Sequence, residues 1–188
     1  SDVCSSDLYY NISGRVKGKP ISVSVSLSTF IPKPFTPFEF EPQSSKQEID
    51  ERQKYLLSIT GNKKIHISWS DYDTSFLEAV LARGDRRVSK AIFKAHKKGC
   101  KLDAWGEFFK PELWYEAFAE CGIDPTFYVN RRRKYDEIMP WSHLNMLFDR
   151  KFLIEENKKA HMGEVTANCR EKCAGCGLNK TVGGVCFD

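Results

Sequence analysis

The chain has 188 residues, of which 41% are hydrophobic and 29% are charged. This composition is typical of a soluble protein long enough to form a core. No stretch approaches the ~20 apolar residues that a membrane-spanning helix requires, and no secretory signal is visible. We therefore expect a cytoplasmic protein with no membrane partner. The net charge of +4 is too small to predict a polyanionic partner by itself.

The first eight residues, SDVCSSDL, resemble the translation of a common sequencing adapter. The segment has neither helical nor strand periodicity, so Cys4 carries no functional information. The alternative is a genuine serine-rich tail. If the segment is an adapter, the true N-terminus is absent, and we expect a missing N-terminal part of the same protein.

The next segments alternate between strand and helix patterns. Residues 21–30, ISVSVSLSTF, alternate apolar residues with serines, which predicts a strand. Three prolines between residues 32 and 37 cannot continue a sheet, so an extended loop should follow. Ser45 and Glu48 form a capping box that predicts the start of a helix. Residues 65–69 predict a second short strand.

Helices are predicted for most of the remaining chain. Apolar spacing and terminal Gly or Pro residues indicate helices at 73–83, at 85–98, after Pro111, briefly after Pro125, and at 149–162. We expect the four tryptophans to lie mainly in the core. The segment RGDRR at 83–87 is either an anion clamp or, as we favour, a salt-bridged turn. The segment RRRK at 131–134 predicts a solvated face, with nucleic-acid binding as the alternative.

The C-terminal tail carries the clearest chemical signal. Cys169, Cys173, Cys176 and Cys186 are interleaved with glycines, which permit the sharp turns that bring thiolates together. Four thiolates suit either a tetrahedral zinc ion or an iron–sulfur cluster. Free thiols or disulfides remain the alternative. We expect Cys100 and Cys121 to be small buried hydrophobic residues outside this site.

Several longer segments resemble the radical S-adenosylmethionine (radical SAM) enzymes. The run ISVSVSLSTFIPKPFTPFEFE, followed by Glu51 and Arg52, resembles their last barrel strand and the loop after it. A closer resemblance is to the cobalamin-binding-domain subgroup, whose reaction is unassigned. It rests on SFLEAVLARGDRR, GCKLDAWGEFF, CGIDPTFY, DEIMPWSHL and RKFLIEENKKA, in that order, and covers nearly all of 15–188. Members usually carry Asp-His-Ile where this chain has Ser142-His143-Leu144, which puts a role for position 142 in doubt.

This resemblance implies an α/β fragment in which the last strand–helix unit of a radical SAM barrel precedes a mainly α-helical extension and a Cys-rich tail. The implied division is 1–8 adapter, 9–70 barrel end, 71–163 helical extension and 164–188 metal-binding tail. The parent protein would use a catalytic [4Fe–4S] cluster, S-adenosylmethionine and cobalamin, bound outside this chain. Lys33 would lie at the mouth of the barrel, where such folds bind ligands, and is a candidate cofactor-binding residue.

The tail also contains CREKCAGC, which has the cysteine spacing of the catalytic radical SAM motif. Only twelve residues follow Cys176, too few to build a barrel after it, and Cys186 is available as a fourth ligand. We therefore expect a closed structural or electron-carrying site. Two functions follow: part of a radical SAM enzyme that is inactive alone and whose substrate is unknown, or a self-standing zinc or iron–sulfur module that binds nucleic acid.

Overall fold

The computed structural model describes residues 22–182, and they form two compact units. The first unit contains 22–30 and 44–75, and the second contains 31–43 and 76–182. The Pro-rich loop 31–43 therefore belongs with the later helices, whereas the predicted division placed it with the strand before it. The difference arises because Phe40 of this loop is fully buried in the core of the second unit. Residues 1–8, including Cys4, and Cys186 lie outside the described residues.

The first unit is a strand–helix–strand motif. Strand β1 (Val23–Leu27) and strand β2 (Ile65–Trp69) are parallel, with Val23 opposite Ile65, and helix α1 (Lys46–Ile59) lies between them in sequence. A parallel pair needs such a crossover because its second strand starts at the same end as its first. The sheet has two strands in the described part of the chain. The resemblance implied that β1 ends the sheet, yet β2 extends it by one more parallel strand.

The alternation predicted for β1 is confirmed. Its serines are exposed, while Val23, Val25 and Leu27 are half-buried. Parallel strands are normally covered on both faces and therefore apolar on both. A polar, solvent-facing side is consequently unusual for a strand with a parallel partner.

The capping box predicted at the start of α1 is present. The Ser45 hydroxyl accepts a hydrogen bond from the Glu48 backbone N–H, and the Glu48 carboxylate accepts one from the Ser45 backbone N–H at 2.7 Å. We expect Ser45→Ala to lower the free energy of unfolding by about 1 kcal/mol, measured by urea denaturation. Ser58→Ala near the other end of α1 is the matched control, and an equal loss there would argue against a capping effect.

The second unit is helical. Its helices are α2 (Tyr72–Arg83, which begins in the first unit), α3 (Val88–Lys97), α4 (Pro111–Glu120), α5 (Thr126–Val129), α6 (Arg150–Met162) and α7 (Leu178–Val182). The predicted helices at 73–83, at 85–98, after Pro111, after Pro125 and at 149–162 are confirmed to within a few residues. Gly163 ends α6 in the left-handed conformation that glycine adopts without strain. None of the helices in the described part is long and apolar enough to cross a membrane.

The tryptophans divide into two groups. Trp114 and Trp141 are buried, as predicted, whereas Trp69 is 39% and Trp105 is 64% exposed. The prediction of a core position is therefore wrong for Trp69, the last residue of β2, and for Trp105, which lies in the irregular turn between α3 and α4 and not on an apolar helix face. Trp141 instead packs with Phe40, Met139 and Leu153 in one buried cluster.

Candidate functional site

A buried arginine lies at the end of α2. The side chain of Arg83 is fully shielded from solvent, and it donates hydrogen bonds to the backbone carbonyls of Tyr128 at 3.0 Å and Pro32 at 3.2 Å. Burial lowers the pKa of Arg83 to about 10, and repulsion from the nearby Arg133 adds to this shift. Arg83 still carries its charge at neutral pH.

A second buried arginine, Arg133, lies beside Arg83. Its Nη2 donates to the Arg83 carbonyl at 2.9 Å, and its guanidinium lies 5.0 Å from the centre of the Trp141 ring. Burial lowers the pKa of Arg133 as well. Two neighbouring buried cations require negative charge close by. That charge comes partly from Glu39, whose field favours the charged form of both arginines.

Glu39 is the buried acid of this region, with only 2% of its surface exposed. Its Oε2 accepts hydrogen bonds from the Phe35 backbone N–H at 2.8 Å and from the Trp141 indole N–H at 2.9 Å. Phe35 has a positive φ of 61°, an unfavourable conformation for a bulky residue. This strained conformation directs the backbone N–H of Phe35 towards Glu39.

Glu39 also lines a cavity of ≈ 170 Å³. Its walls are mixed in character: aromatic and aliphatic side chains, two charged groups of opposite sign, and the polar side chains of Ser142 and Asn145. Arg150, the first residue of α6, supplies the positive charge. Opposite charges and aromatic rings therefore meet in one site, and we refer to it as the Glu39 cavity.

The structure clarifies position 142, where this chain departs from the resembled subgroup. The Ser142 hydroxyl accepts a hydrogen bond from the Met139 backbone N–H at 2.9 Å, and the Met139 carbonyl accepts one from the Ser142 N–H at 3.0 Å. Serine thus holds a tight turn through an oxygen acceptor. An aspartate could make the same bond, so the departure preserves the local geometry.

The RGDRR segment contains the expected salt-bridged turn. The guanidinium of Arg87 makes a fork-like contact with Asp85, with nitrogen–oxygen distances of 2.7 to 3.0 Å, and the Tyr128 hydroxyl donates to Asp85 at 3.2 Å. The hydrogen bonds from Arg87 outweigh burial and lower the pKa of Asp85 to about 2. Arg86 is exposed, and Arg83 is part of the buried pair described above.

This arrangement gives a pH-dependent prediction. Because the folded-state pKa of Asp85 lies below its ordinary value of 3.8, the stabilisation is present above about pH 4 and is lost as pH falls towards 2. Arg87 is 63% exposed, so we expect Asp85→Asn to cost only about 1 kcal/mol at pH 7 and nothing near pH 2. Urea unfolding across this pH range tests it. The matched control is Asp136→Asn, and a constant difference at every pH would contradict the prediction.

The RRRK segment is largely engaged with the protein itself. Arg131 pairs with Glu137 at 2.6 Å, Arg132 lies 3.3 Å from Glu41, and Arg133 is buried. Lys134 is exposed. Three of the four cations therefore make intramolecular contacts instead of forming a free basic face.

Glu41 also joins this segment to α6. Its Oε1 lies 2.8 Å from His161 Nε2 and accepts a hydrogen bond from the fully buried Asn157 at 3.0 Å. Burial alone would raise the pKa of Glu41, but the hydrogen bonds from His161 and Asn157, together with Arg132, lower it. This cluster therefore ties the Pro-rich loop to α6 through several polar contacts.

Lys33, the candidate cofactor-binding residue, lies on the surface and pairs with Glu78. Its side chain is 46% exposed, and it is not part of the wall of the Glu39 cavity. The described structure therefore places Lys33 in an ion pair, while its proposed role at a barrel mouth stays a prediction.

The cysteines fall into two groups. Cys100 is buried and Cys121 half-buried, while Cys169 and Cys173 are exposed and Cys176 is half-buried. Burial raises the pKa of the Cys100 thiol, which makes it a poor metal ligand. Within residues 22–182, no three Cys, His, Asp or Glu side chains are arranged to hold a metal ion. The convergence that we expect of the tail cysteines even without a metal is thus not seen for Cys169, Cys173 and Cys176, and Cys186 lies outside the described residues.

The tail is nevertheless held against α6. The Cys176 carbonyl accepts a hydrogen bond from the Asp149 backbone N–H at 2.7 Å, just before the first turn of α6. Near the other end of the helix, the Thr166 hydroxyl donates to Glu156 at 2.8 Å. The segment after Gly163 therefore runs back along α6 and brings Cys176 to its N-terminal end, where the helix dipole favours negative charge.

Comparison with known proteins finds a distant relative. The chain is 30% identical over 116 residues to an uncharacterized protein of Methanocaldococcus jannaschii; the match covers 55% of this chain and 25% of that protein. The chain thus spans about a quarter of the relative's length. No protein-family model matches the chain, and no solved structure matches it.

Sequence reasoning missed the residues at the centre of the second unit. The sequence patterns indicate Glu39 only as part of a Pro-rich loop, and Arg133 only as one member of a basic run. A weak signal exists in PFEF, where an acidic residue is flanked by two phenylalanines, an unusual setting for a solvated carboxylate. For Arg150, helical spacing predicts no more than an ordinary first-turn residue of α6.

Proposed function

We propose that this chain is the C-terminal part of a cytoplasmic radical SAM iron–sulfur enzyme and is inactive alone. The remainder of the protein would supply the catalytic [4Fe–4S] cluster, S-adenosylmethionine binding and the cobalamin domain. Cofactors perform the chemistry of such enzymes, and the protein binds and orients them.

The observation that carries the proposal is the parallel β1–α1–β2 unit. Its first strand carries serines on one face and is followed directly by the Pro-rich loop. A two-stranded parallel sheet has little stability of its own. Its short strands and only half-buried apolar face fit a piece of a larger sheet to which other strands are added at the edges. The relative of about four times the matched length is consistent with a longer parent protein.

The tail supports a metal-binding role. The proposed ligands are Cys169, Cys173 and Cys176, which lie in the described residues, and Cys186, which does not. The bound species would be an iron–sulfur cluster or zinc. In this proposal the site lies beside the positive end of α6, a 13-residue helix, which is supported by the hydrogen bond between the Cys176 carbonyl and the start of that helix. Four thiolates around zinc or an oxidised cubane carry a net charge of about −2, which this position stabilises.

The alternative is a self-standing metal module that binds nucleic acid. It needs free cations, and the internal contacts of Arg131, Arg132 and Arg133 leave few in the RRRK segment. Recovering the gene upstream of residue 9 separates the two proposals. We expect an in-frame barrel with a CxxxCxxC motif, and the longer protein should bind S-adenosylmethionine while the present chain does not. A stop codon just before residue 9 would overturn the radical SAM proposal in favour of the alternative.

A further inference from the structure

The Glu39 cavity combines groups that none of the activities discussed above uses. We propose that it binds a small zwitterion, an α-amino acid with an apolar side chain. The ammonium group of the ligand would face Glu39, its carboxylate would face Arg150, and its side chain would lie against the aromatic wall. This inference goes beyond the proposed enzyme class and does not depend on it.

Glu39 provides the site for the ammonium group. Both hydrogen bonds that its carboxylate accepts within the described residues end on Oε2, which leaves Oε1 to a ligand in the cavity. The two bonds fix the orientation of the side chain before any ligand arrives. Fixed acceptors bind cations well because no ordering cost is incurred on binding.

Arg150 provides the site for the carboxylate. Its Nη2 donates to the Glu137 carbonyl at 2.7 Å and its Nε is fully buried, which together hold the guanidinium in place. Its third nitrogen, Nη1, makes no hydrogen bond within the described residues and is not among the buried unpaired atoms. Nη1 is therefore left to a ligand carboxylate in the cavity, and guanidinium groups bind carboxylates with geometric selectivity.

The remaining wall sets the size and character of the ligand. A cavity of about 150 Å³ lined by apolar groups can hold benzene, so ≈ 170 Å³ suits a molecule of similar bulk and is too small for a nucleotide. Trp141, Phe148 and Met146 line the cavity and favour an aliphatic side chain over a polar one. A neutral-overall ligand with separated charges also matches the single negative and single positive group in this wall.

The test uses the complete chain and three probes of similar size. L-leucine carries both charges, isopentylamine lacks the carboxylate, and 4-methylpentanoic acid lacks the ammonium group. We expect calorimetry to detect L-leucine, with affinity about 10-fold to 100-fold lower for each of the other two, the range that one charged hydrogen bond supplies. L-leucine should also change the fluorescence of Trp141, and Trp141→Phe should remove that change.

Variants locate the site. Glu39→Gln and Arg150→Lys should each weaken L-leucine binding by about 10-fold or more, while Glu155→Gln, on the exposed side of α6, should leave it unchanged. The wild-type probe series tests the proposal even if a variant fails to fold. Absence of L-leucine binding at millimolar concentration, equal binding of all three probes, or binding that is insensitive to Glu39→Gln in a folded variant would each overturn it.

Discussion

Replacing Arg83 with alanine is expected to lower the free energy of unfolding by about 3–5 kcal/mol, the largest loss of stability that we predict for this chain. Arg83 is fully buried and joins the carbonyls of Tyr128 and Pro32. Its removal leaves a large cavity, deprives Pro32 of its donor and leaves Tyr128 with only the longer contact from Arg133 at 3.4 Å. Loss of repulsion between the two arginines offsets this only in part, because Glu39 already compensates some of their charge.

Equilibrium urea unfolding measures the effect. Arg86→Ala, in the same RGDRR segment but exposed, is the matched control and should change stability by less than about 0.5 kcal/mol. Arg83→Met keeps most of the volume and removes the charge, so it separates packing from electrostatics. If Arg83→Met is as stable as the wild type, the hydrogen bonds of Arg83 do not compensate for its burial, and the predicted stabilisation by them is wrong.

The second large effect concerns metal binding by the tail. Purified without oxygen, the chain is expected to bind either a brown iron–sulfur cluster or colourless zinc. Cys169→Ser, Cys173→Ser or Cys176→Ser should reduce the bound metal from about one site per chain to nearly none. The expected loss is this large because the thiolates share one ion or cluster, and structural zinc sites contribute about 10–16 kcal/mol of apparent binding free energy. Elemental analysis and absorbance spectra measure the outcome.

Cys121→Ser is the matched control, since Cys121 is half-buried at the end of α4 and remote in sequence from the tail. It should retain the full metal content. Cys186→Ser distinguishes two kinds of site: complete loss of metal indicates four protein ligands, and a retained cluster indicates an iron with an open position. Equal metal content in all variants, or no metal in the wild type, would contradict a tail site.

Local features of this fold follow from the sequence, and distant ones do not. The Ser45 cap and the Gly163 stop depend on residues within four positions of each other, so short patterns predict them. Arg83 contacts a carbonyl 51 residues away, and Trp141 contacts Glu39 across 102 residues. No periodicity encodes such pairings, because they arise only when the Pro-rich loop packs against the helices.

The candidate metal site shows the same difference between local and distant features. Cysteine spacing predicts the ligand set without any structure, because thiolates on one short segment can reach a common ion. It does not predict where the segment lies. The hydrogen bond between Cys176 and Asp149 is a tertiary contact, and only the structure places Cys176 at the start of α6.

Because the tail returns along α6, the helix and the return segment are coupled in length. A helix advances about 1.5 Å per residue, whereas an extended segment advances about 3.3 Å, so the tail before Cys176 has spare length, part of which forms the turn at Asn168. A helix longer by one turn would draw on that spare length and open the turn before Cys176 lost its bond to Asp149. Among natural relatives, a longer α6 should therefore be accompanied by loss of this turn or by a longer tail before the third cysteine, a correlation that an alignment can reveal.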